Sequence, residues 1–163
     1  MSNILYIVVP CYNEQEVLPE TSKRLREKVQ TLRQGGKIDA DSRILFVNDG
    51  SKDATWEMIQ KLHEENSVFS GVNLSRNRGH QNALLAGIAV AAEHADMIVS
   101  MDADLQDDVD AMDRMIDAYE AGNDIVYGVR SSRQKDTFFK RNTAQLFYRM
   151  LHFLGAEIVY NHA

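Results

Sequence analysis

The alternation of short apolar runs with amphipathic stretches constrains this chain more than any single motif. ILYIVVP (4–10) is a run of the kind buried on both faces of a parallel sheet. The helical stretch after it sets Leu18, Leu25, Val29 and Leu32 on one face, and the glycine pair 35–36 stops it. Asn13 with Glu16 three residues on reads as a capping box, with Asn in place of Ser or Thr. RILFVND (43–49) leads to a helix near 53–65, and VFSGVNLS (68–75) leads to HQNALLAGIAVAAEHA (80–95). DMIVSMD (96–102) leads to a helix with Val109, Met112, Met115, Ile116 and Tyr119 on one stripe. DIVYGVR (124–130) leads to an aromatic-rich helix near 137–154, and AEIVY (156–160) comes last. Strands alternating with helices, with no internal repeat or linker, predict one α/β domain built on a mainly parallel sheet flanked by helices.

In such sheets ligands bind beyond the carboxyl ends of the strands. Four strand ends here are polar: PCYNE, NDGSKD, SRNRGHQN and DADLQDD. The topology gathers them on one edge. If the chain stays extended past Met101, alternation points Asp102, Asp104 and Gln106 one way, with Ala103 and Leu105 opposite. Three oxygen ligands completed by water and phosphate suit Mg²⁺ or Mn²⁺. A solvated acidic turn accounts for the same spacing. Asp107 and Asp108 suit a helix start, where the dipole favours negative charge. In VNDGSKD a turn with Ser51 and Asp53 as helix caps explains all but Asp49, whose carboxylate could accept hydrogen bonds from a base or ribose. His80 is placed either at a ligand or at a helix start facing solvent.

Other chemistries are excluded by spacing. There is no P-loop or dinucleotide fingerprint, and His63-Glu64-Glu65 lacks the second histidine of a zincin. An EF-hand loop beginning at Asp102 would need Gly at its sixth position and Glu at its twelfth, where Asp107 and Asp113 stand. Cys11 is expected to be a small buried residue rather than a nucleophile, and a lone cysteine fits a reducing compartment. No run reaches the roughly 18 apolar residues of a membrane span. MSNILYIVVPC lacks a charged n-region, so no signal peptide is expected. A net charge of −6 disfavours a nucleic-acid partner, but the charge is uneven. Residues 130–153 carry Arg130, Arg133, Lys135, Lys140, Arg141 and Arg149 against Asp136, a net of +5 that leaves −11 for the remainder. That segment predicts an anionic partner of its own.

VPCYNEQE, VNDGSKDAT, LSRNRGHQNALLAG, MDADLQDD and VYGVRSSRQKDTFFKRNTAQLFYRML occur in an order and at spacings that resemble the family 2 glycosyltransferases. Within that family they most resemble the polyprenyl-phosphate glycosyltransferases, among them dolichyl-phosphate mannose synthases and bactoprenol glucosyltransferases. The resemblance spans essentially all 163 residues. An Asp-x-Asp alone is a weak signal; five motifs in register are a specific one. The resemblance implies a GT-A, Rossmann-like fold that binds a UDP- or GDP-sugar through Mg²⁺ or Mn²⁺. It implies that Pro10, Tyr12, Glu14 and Asp49 hold base and ribose, and that Asp102, Asp104 and Gln106 form the metal and diphosphate motif. Asp102 is placed at the metal or at the ribose. Asp104, Asp102 and Arg130 are then the catalytic candidates, and Arg130, Arg133, Lys140 and Arg141 the phosphate-binding ones. Arg78 departs from the pattern, standing where many relatives carry an aromatic residue.

The implied reaction is inverting transfer of a hexose to polyprenyl phosphate at the cytoplasmic membrane face. An acceptor phosphate is already anionic, which fits the absence of an obvious His–carboxylate base. Phe138, Phe139, Phe147, Tyr148 and Phe153 interleave with the basic residues and face either lipid or the sheet. The resemblance also implies a C-terminally truncated catalytic domain over 1–163, soluble by itself, whose acceptor loop and membrane segments lie beyond it. Two other readings stand beside this one: a family 2 transferase with a saccharide hydroxyl acceptor, and a receiver-like signalling module with an acidic phosphoacceptor pocket.

Overall fold

The computed structural model describes residues 2–104 and 108–128. The chain divides into two compact units, Met1–Asp113 and Arg114–Ala163. The elements are β1 (Leu5–Cys11), α1 (Leu18–Gln34), β2 (Arg43–Asn48), α2 (Thr55–Glu65), β3 (Phe69–Asn73), α3 (His80–Ala91), β4 (Met97–Ser100) and α4 (Ala111–Glu120). All four strands are parallel, in the order β3-β2-β1-β4. The expected α/β architecture is therefore the one observed.

The layering follows from register. Val47 pairs with Val72, and Phe46 with Gly71 one step along, so the two pairs face opposite sides of the sheet. On the Val47 side, Val8, Leu45, Val47, Ala83 and Ala91 form a buried cluster that seats α3. Gly87 lets α3 approach this closely, since a Cβ there would fall on Val8 Cγ1 and stand 2.7 Å from Val47 Cγ2. On the Phe46 side, a Cβ at residue 71 would stand 2.7 Å from Ile59 Cγ2 and 3.1 Å from Trp56, which places α2 there. Two faces covered by helices explain why β1 and β2 are buried almost throughout.

Helix α1 buries the predicted stripe of Leu18, Leu25, Val29 and Leu32 and ends at Gly35, with Gly36 in the left-handed region at φ 70°. It also holds the entrance to α4. Lys28 is nearly buried and donates to Asp110 at 2.7 Å and to Asp113. Burial disfavours its ammonium, but these hydrogen bonds outweigh that and hold its pKa above the ordinary lysine range.

Two expectations are corrected. The capping box at Asn13 and Glu16 does not form: α1 starts after Val17 without a side-chain cap, because Asn13 is taken up by a neighbouring loop. Residues 124–128 of the strand expected over 124–130 join no ladder among the described residues, and Ile125 and Tyr127 are exposed. Alternating apolar residues make a strand only where a partner offers its backbone groups. The helix expected near 137–154 and the strand 156–160 lie outside the described residues.

Candidate active site

The sheet order reverses at β1, with β2 and β3 to one side and β4 to the other. This is the switch point at which open α/β sheets bind ligands. It also differs from the order 2-1-3 of receiver-like domains, which removes that reading.

The loops leaving β1 and β2 are stitched together along the sheet edge. Asn13 adopts φ 55°, a left-handed conformation that asparagine tolerates. Its amide donates to Ser51 Oγ at 3.0 Å, and its Oδ1 accepts the Lys52 amide at 2.8 Å. The Glu14 amide donates to Thr55 Oγ1 at 2.9 Å and the Gln15 amide to Asp53 Oδ2 at 3.2 Å. Gln15 Oε1 accepts the Ala54 amide at 3.0 Å. Asp53 Oδ1 accepts the Thr55 amide and hydroxyl beside the entrance to α2, but the N-cap is Ala54 with no side-chain cap and Ser51 serves Asn13, so neither expected cap forms. This net fixes the backbone at Glu14, which follows Tyr12, 41% exposed, and Pro10, buried within β1.

Asp49 is placed differently from a free nucleoside acceptor. It is 2% exposed, and its carboxylate accepts the Arg78 amide at 2.6 Å and the Gly79 amide at 2.9 Å. Gly50 takes φ 65°, and a Cβ there would stand 2.5 Å from the backbone of Arg76 and Asn77. Residues 49 and 50 thus clamp the loop between β3 and α3, and with it the start of α3 at His80. Both carboxylate oxygens being so engaged, a loop-holding role is what this geometry gives Asp49.

The chain past β4 does not stay extended. The strand ends at Ser100, and residues 103 and 104 form a turn, held where Thr21 Oγ1 lies 2.5 Å from the Ala103 carbonyl oxygen. Burial still alternates: Ala103 is buried between exposed Asp102 and Asp104. Burial, followed by the charges of Asp104, Asp53 and Asp102, raises the Glu14 pKa above the usual carboxylate value. Four carboxylates therefore share one field at the β1/β4 crevice. Burial, with the charge of Glu14, also pushes the Cys11 thiol far up, so buried Cys11 is no nucleophile. The imidazole Nε2 of His80 stands 3.8 Å from Asp102 Oδ1. Nothing in the sequence marked that approach, or the Asp49 clamp, because the partners meet only through the fold.

Among the described residues no three His, Cys, Asp or Glu side chains form a metal cluster. The oxygen donors of Asp102 and Asp104 nonetheless fit a small divalent cation of the Mg²⁺ or Mn²⁺ kind. Mg²⁺ in particular is commonly held by one or two carboxylates, with substrate phosphates and water supplying the rest. Gln106, Arg130, Arg133, Lys140 and Arg141 lie outside the described residues, as do Phe138, Phe139, Phe147, Tyr148 and Phe153. No helix among the described residues is long and apolar enough to cross a membrane.

Comparison with known proteins bears on this edge. Solved structures share the fold, among them a mannosyltransferase from Pyrobaculum calidifontis, PcManGT, in complex with GDP-Man and Mn²⁺. It matches with a TM-score of 0.57 at 19% identity, over 82% of this chain and 36% of that one. The uncharacterized glycosyltransferase YkoT of Bacillus subtilis is 51% identical over 98% of this chain and 48% of its own length. The bactoprenol glucosyl transferase of Shigella phage SfV is 37% identical over 88% of this chain and 44% of its own. The chain thus spans about half the length of these relatives. The family model for glycosyl transferase family 2 matches residues 6–162, and this chain belongs to that family.

Proposed function

We propose that this chain binds a nucleotide diphosphate sugar at the β1/β4 crevice and transfers its hexose, with inversion, to a polyprenyl phosphate. The observation that supports the first half is the gathering of Glu14, Asp53, Asp102 and Asp104 at the switch point, where the charges of the other three add to burial in raising the Glu14 pKa. Tyr12, Pro10 and Glu14 are proposed to meet the nucleoside, and Asp49 holds the loop between β3 and α3. Asp102 and Asp104 would hold the cation, with Gln106 as the expected third oxygen donor. A divalent cation bound there supplies positive charge where the leaving nucleotide diphosphate becomes more negative. In the transfer the bond between the sugar's anomeric carbon and the diphosphate oxygen breaks as an acceptor phosphate oxygen bonds to the opposite face. That oxygen is already anionic, so no residue of this chain needs to take a proton from it.

The acceptor class is supported by the bactoprenol glucosyl transferases among the relatives and by the +5 charge of residues 130–153. Arg130, Arg133, Lys140 and Arg141 are proposed to meet the phosphates, and the cytoplasmic membrane face is the site such an acceptor implies. A thermal-shift panel of UDP, GDP and their sugars, with and without Mn²⁺, tests donor binding. At about 100 times Kd the stabilisation is about 2.7 kcal/mol, a melting shift of roughly 5–10 °C at this length. No shift with any nucleotide in Mn²⁺ overturns the reading. Radiolabel transfer from the stabilising donor to a short-chain polyprenyl phosphate, against an oligosaccharide control, tests the acceptor.

A further inference from the structure

Two side chains of α1 reach the stretch of chain that carries Asp102 and Asp104. Thr21 and Lys28 stand two helical turns apart and so lie on one face of the helix. Thr21 is 1% exposed, and its hydroxyl has two carbonyl oxygens in reach, Val17 at 3.0 Å and Ala103 at 2.5 Å. The Val17 carbonyl already accepts the Thr21 amide at 3.0 Å, so the single hydroxyl proton goes to Ala103, the residue between the two aspartates. Lys28 makes the second anchor. Its nearly buried ammonium donates to Asp110 Oδ1 at 2.7 Å and to Asp113. These contacts close 82 to 85 residues of sequence, so none of them is a by-product of local helix geometry.

Resting on the donor-binding reading above, we propose that Thr21 and Lys28 are positioning residues, which from one face of α1 hold Asp102 and Asp104 at the sheet edge for a divalent cation. Asp102 and Asp104 are exposed, and their charges act with that of Asp53 on Glu14. Repulsion of that kind drives a turn outward unless something else holds it. Thr21 holds it through the backbone of Ala103, and Lys28 holds the chain that follows it through Asp110 and Asp113. Neither anchor uses a carboxylate of the acidic cluster, so all of its oxygens stay available. Donors fixed before the ion arrives lose less freedom when it binds, which raises affinity without a new contact. Thr21 and Lys28 act only through the carboxylates they place.

The test is calorimetric titration of GDP and UDP into the 163-residue chain, in Mn²⁺ and in EDTA. Thr21→Val keeps the shape and removes the hydroxyl; Lys28→Met keeps the stem and removes the charge. Each should lose about tenfold in Mn²⁺, the effect of removing a group that orients a metal's ligands, and keep its affinity in EDTA. Thr21→Ser and Lys28→Arg, which restore the donors, should recover most of that loss. Asp110→Asn with Asp113→Asn releases the second anchor from its more exposed side and should reproduce Lys28→Met, which keeps the test open if the lysine variant does not fold. An equal loss in Mn²⁺ and EDTA, or a lower melting temperature with an unchanged Mn²⁺/EDTA ratio, would mean that the two residues serve the fold alone and overturns the inference. If wild type binds neither nucleotide in Mn²⁺, the donor-binding reading fails, and hydrogen exchange of amides 101–104 in the ligand-free chain then decides the anchor. Faster exchange in Thr21→Val and Lys28→Met supports it; unchanged exchange overturns it.

Discussion

Asp49→Asn separates two roles that the sequence alone conflates. In the structure the Asp49 carboxylate is buried and receives two backbone amides, from Arg78 at 2.6 Å and Gly79 at 2.9 Å. Hydrogen bonds to a charged group contribute about 1.5–3 kcal/mol each. The amide of asparagine keeps one acceptor oxygen but turns an NH₂ toward the second loop amide, so a bond is lost and two donors face each other. Partial exposure of the loop lets water satisfy the displaced amide and offsets some of that loss. The net cost is about 2–4 kcal/mol, which at this chain length lowers the melting temperature by about 5–15 °C. Differential scanning fluorimetry without ligand reads the stability term, and titration with the preferred nucleotide reads the binding term. A clamp predicts that stability falls even with no nucleotide present. A residue that only contacts base or ribose predicts an unchanged melting temperature and weaker binding. If Asp49→Asn melts within about 1 °C of wild type, the clamp reasoning is wrong.

Gly87→Ala places a methyl group against Val8 and Val47, β-branched residues in strands that cannot turn away. The overpacking should exceed the gain in helix propensity and cost about 1–3 kcal/mol net, read by urea unfolding monitored with circular dichroism. Asp104→Asn removes one charge from the shared field, so the Mn²⁺-dependent nucleotide shift should fall by more than half; an unchanged Mn²⁺ dependence would make this segment a solvated turn. Because the Glu14 pKa is raised on folding, its contribution to stability is complete below the unfolded-state value and fades as pH rises through the folded one. Ligand-free stability should therefore decline over that interval as Mn²⁺-dependent nucleotide affinity grows, and Glu14→Gln should flatten both profiles.

What was legible in the sequence was periodic. The apolar runs that became β1 to β4 and the stripe of α1 fix element type because burial repeats every two or every 3.6 residues. The observed ends fall within a few residues of the predicted ones; the widest gaps are at α1, which starts after Val17 rather than Asn13, and at α3, which stops at Ala91 rather than near 95. The segment at 124–128 had the same local pattern without a ladder, since pairing is a property of two segments and only one was being read. Asn13 shows the same limit in the opposite sense. Its spacing to Glu16 satisfied a local rule, but the amide of Lys52, 39 residues away, took its side chain. The edge on which the site lies was legible, because parallel topology alone gathers the strand ends. The partners of Asp49 and His80 were not, because 29 and 22 residues separate them from Arg78 and Asp102 and only the sheet order closes those distances.

The sheet order also explains why so much negative charge is tolerated here. Asp102 and Asp104 leave β4 on one flank of β1, while Glu14 follows β1 itself and Asp53 follows β2 on the other flank. None of these side chains is deeply buried, so solvent screens part of the repulsion and the fold carries the cluster. What remains is visible at Glu14, the member held deepest, whose ionisation is disfavoured first by burial and then by its three neighbours. A cation arriving between Asp102 and Asp104 would remove most of that neighbour effect and leave Glu14 readily ionised beside Tyr12. In the proposed reading, cation and nucleoside binding would be coupled through one carboxyl group, on loops 13–15 and 51–55 that are stitched together by hydrogen bonds.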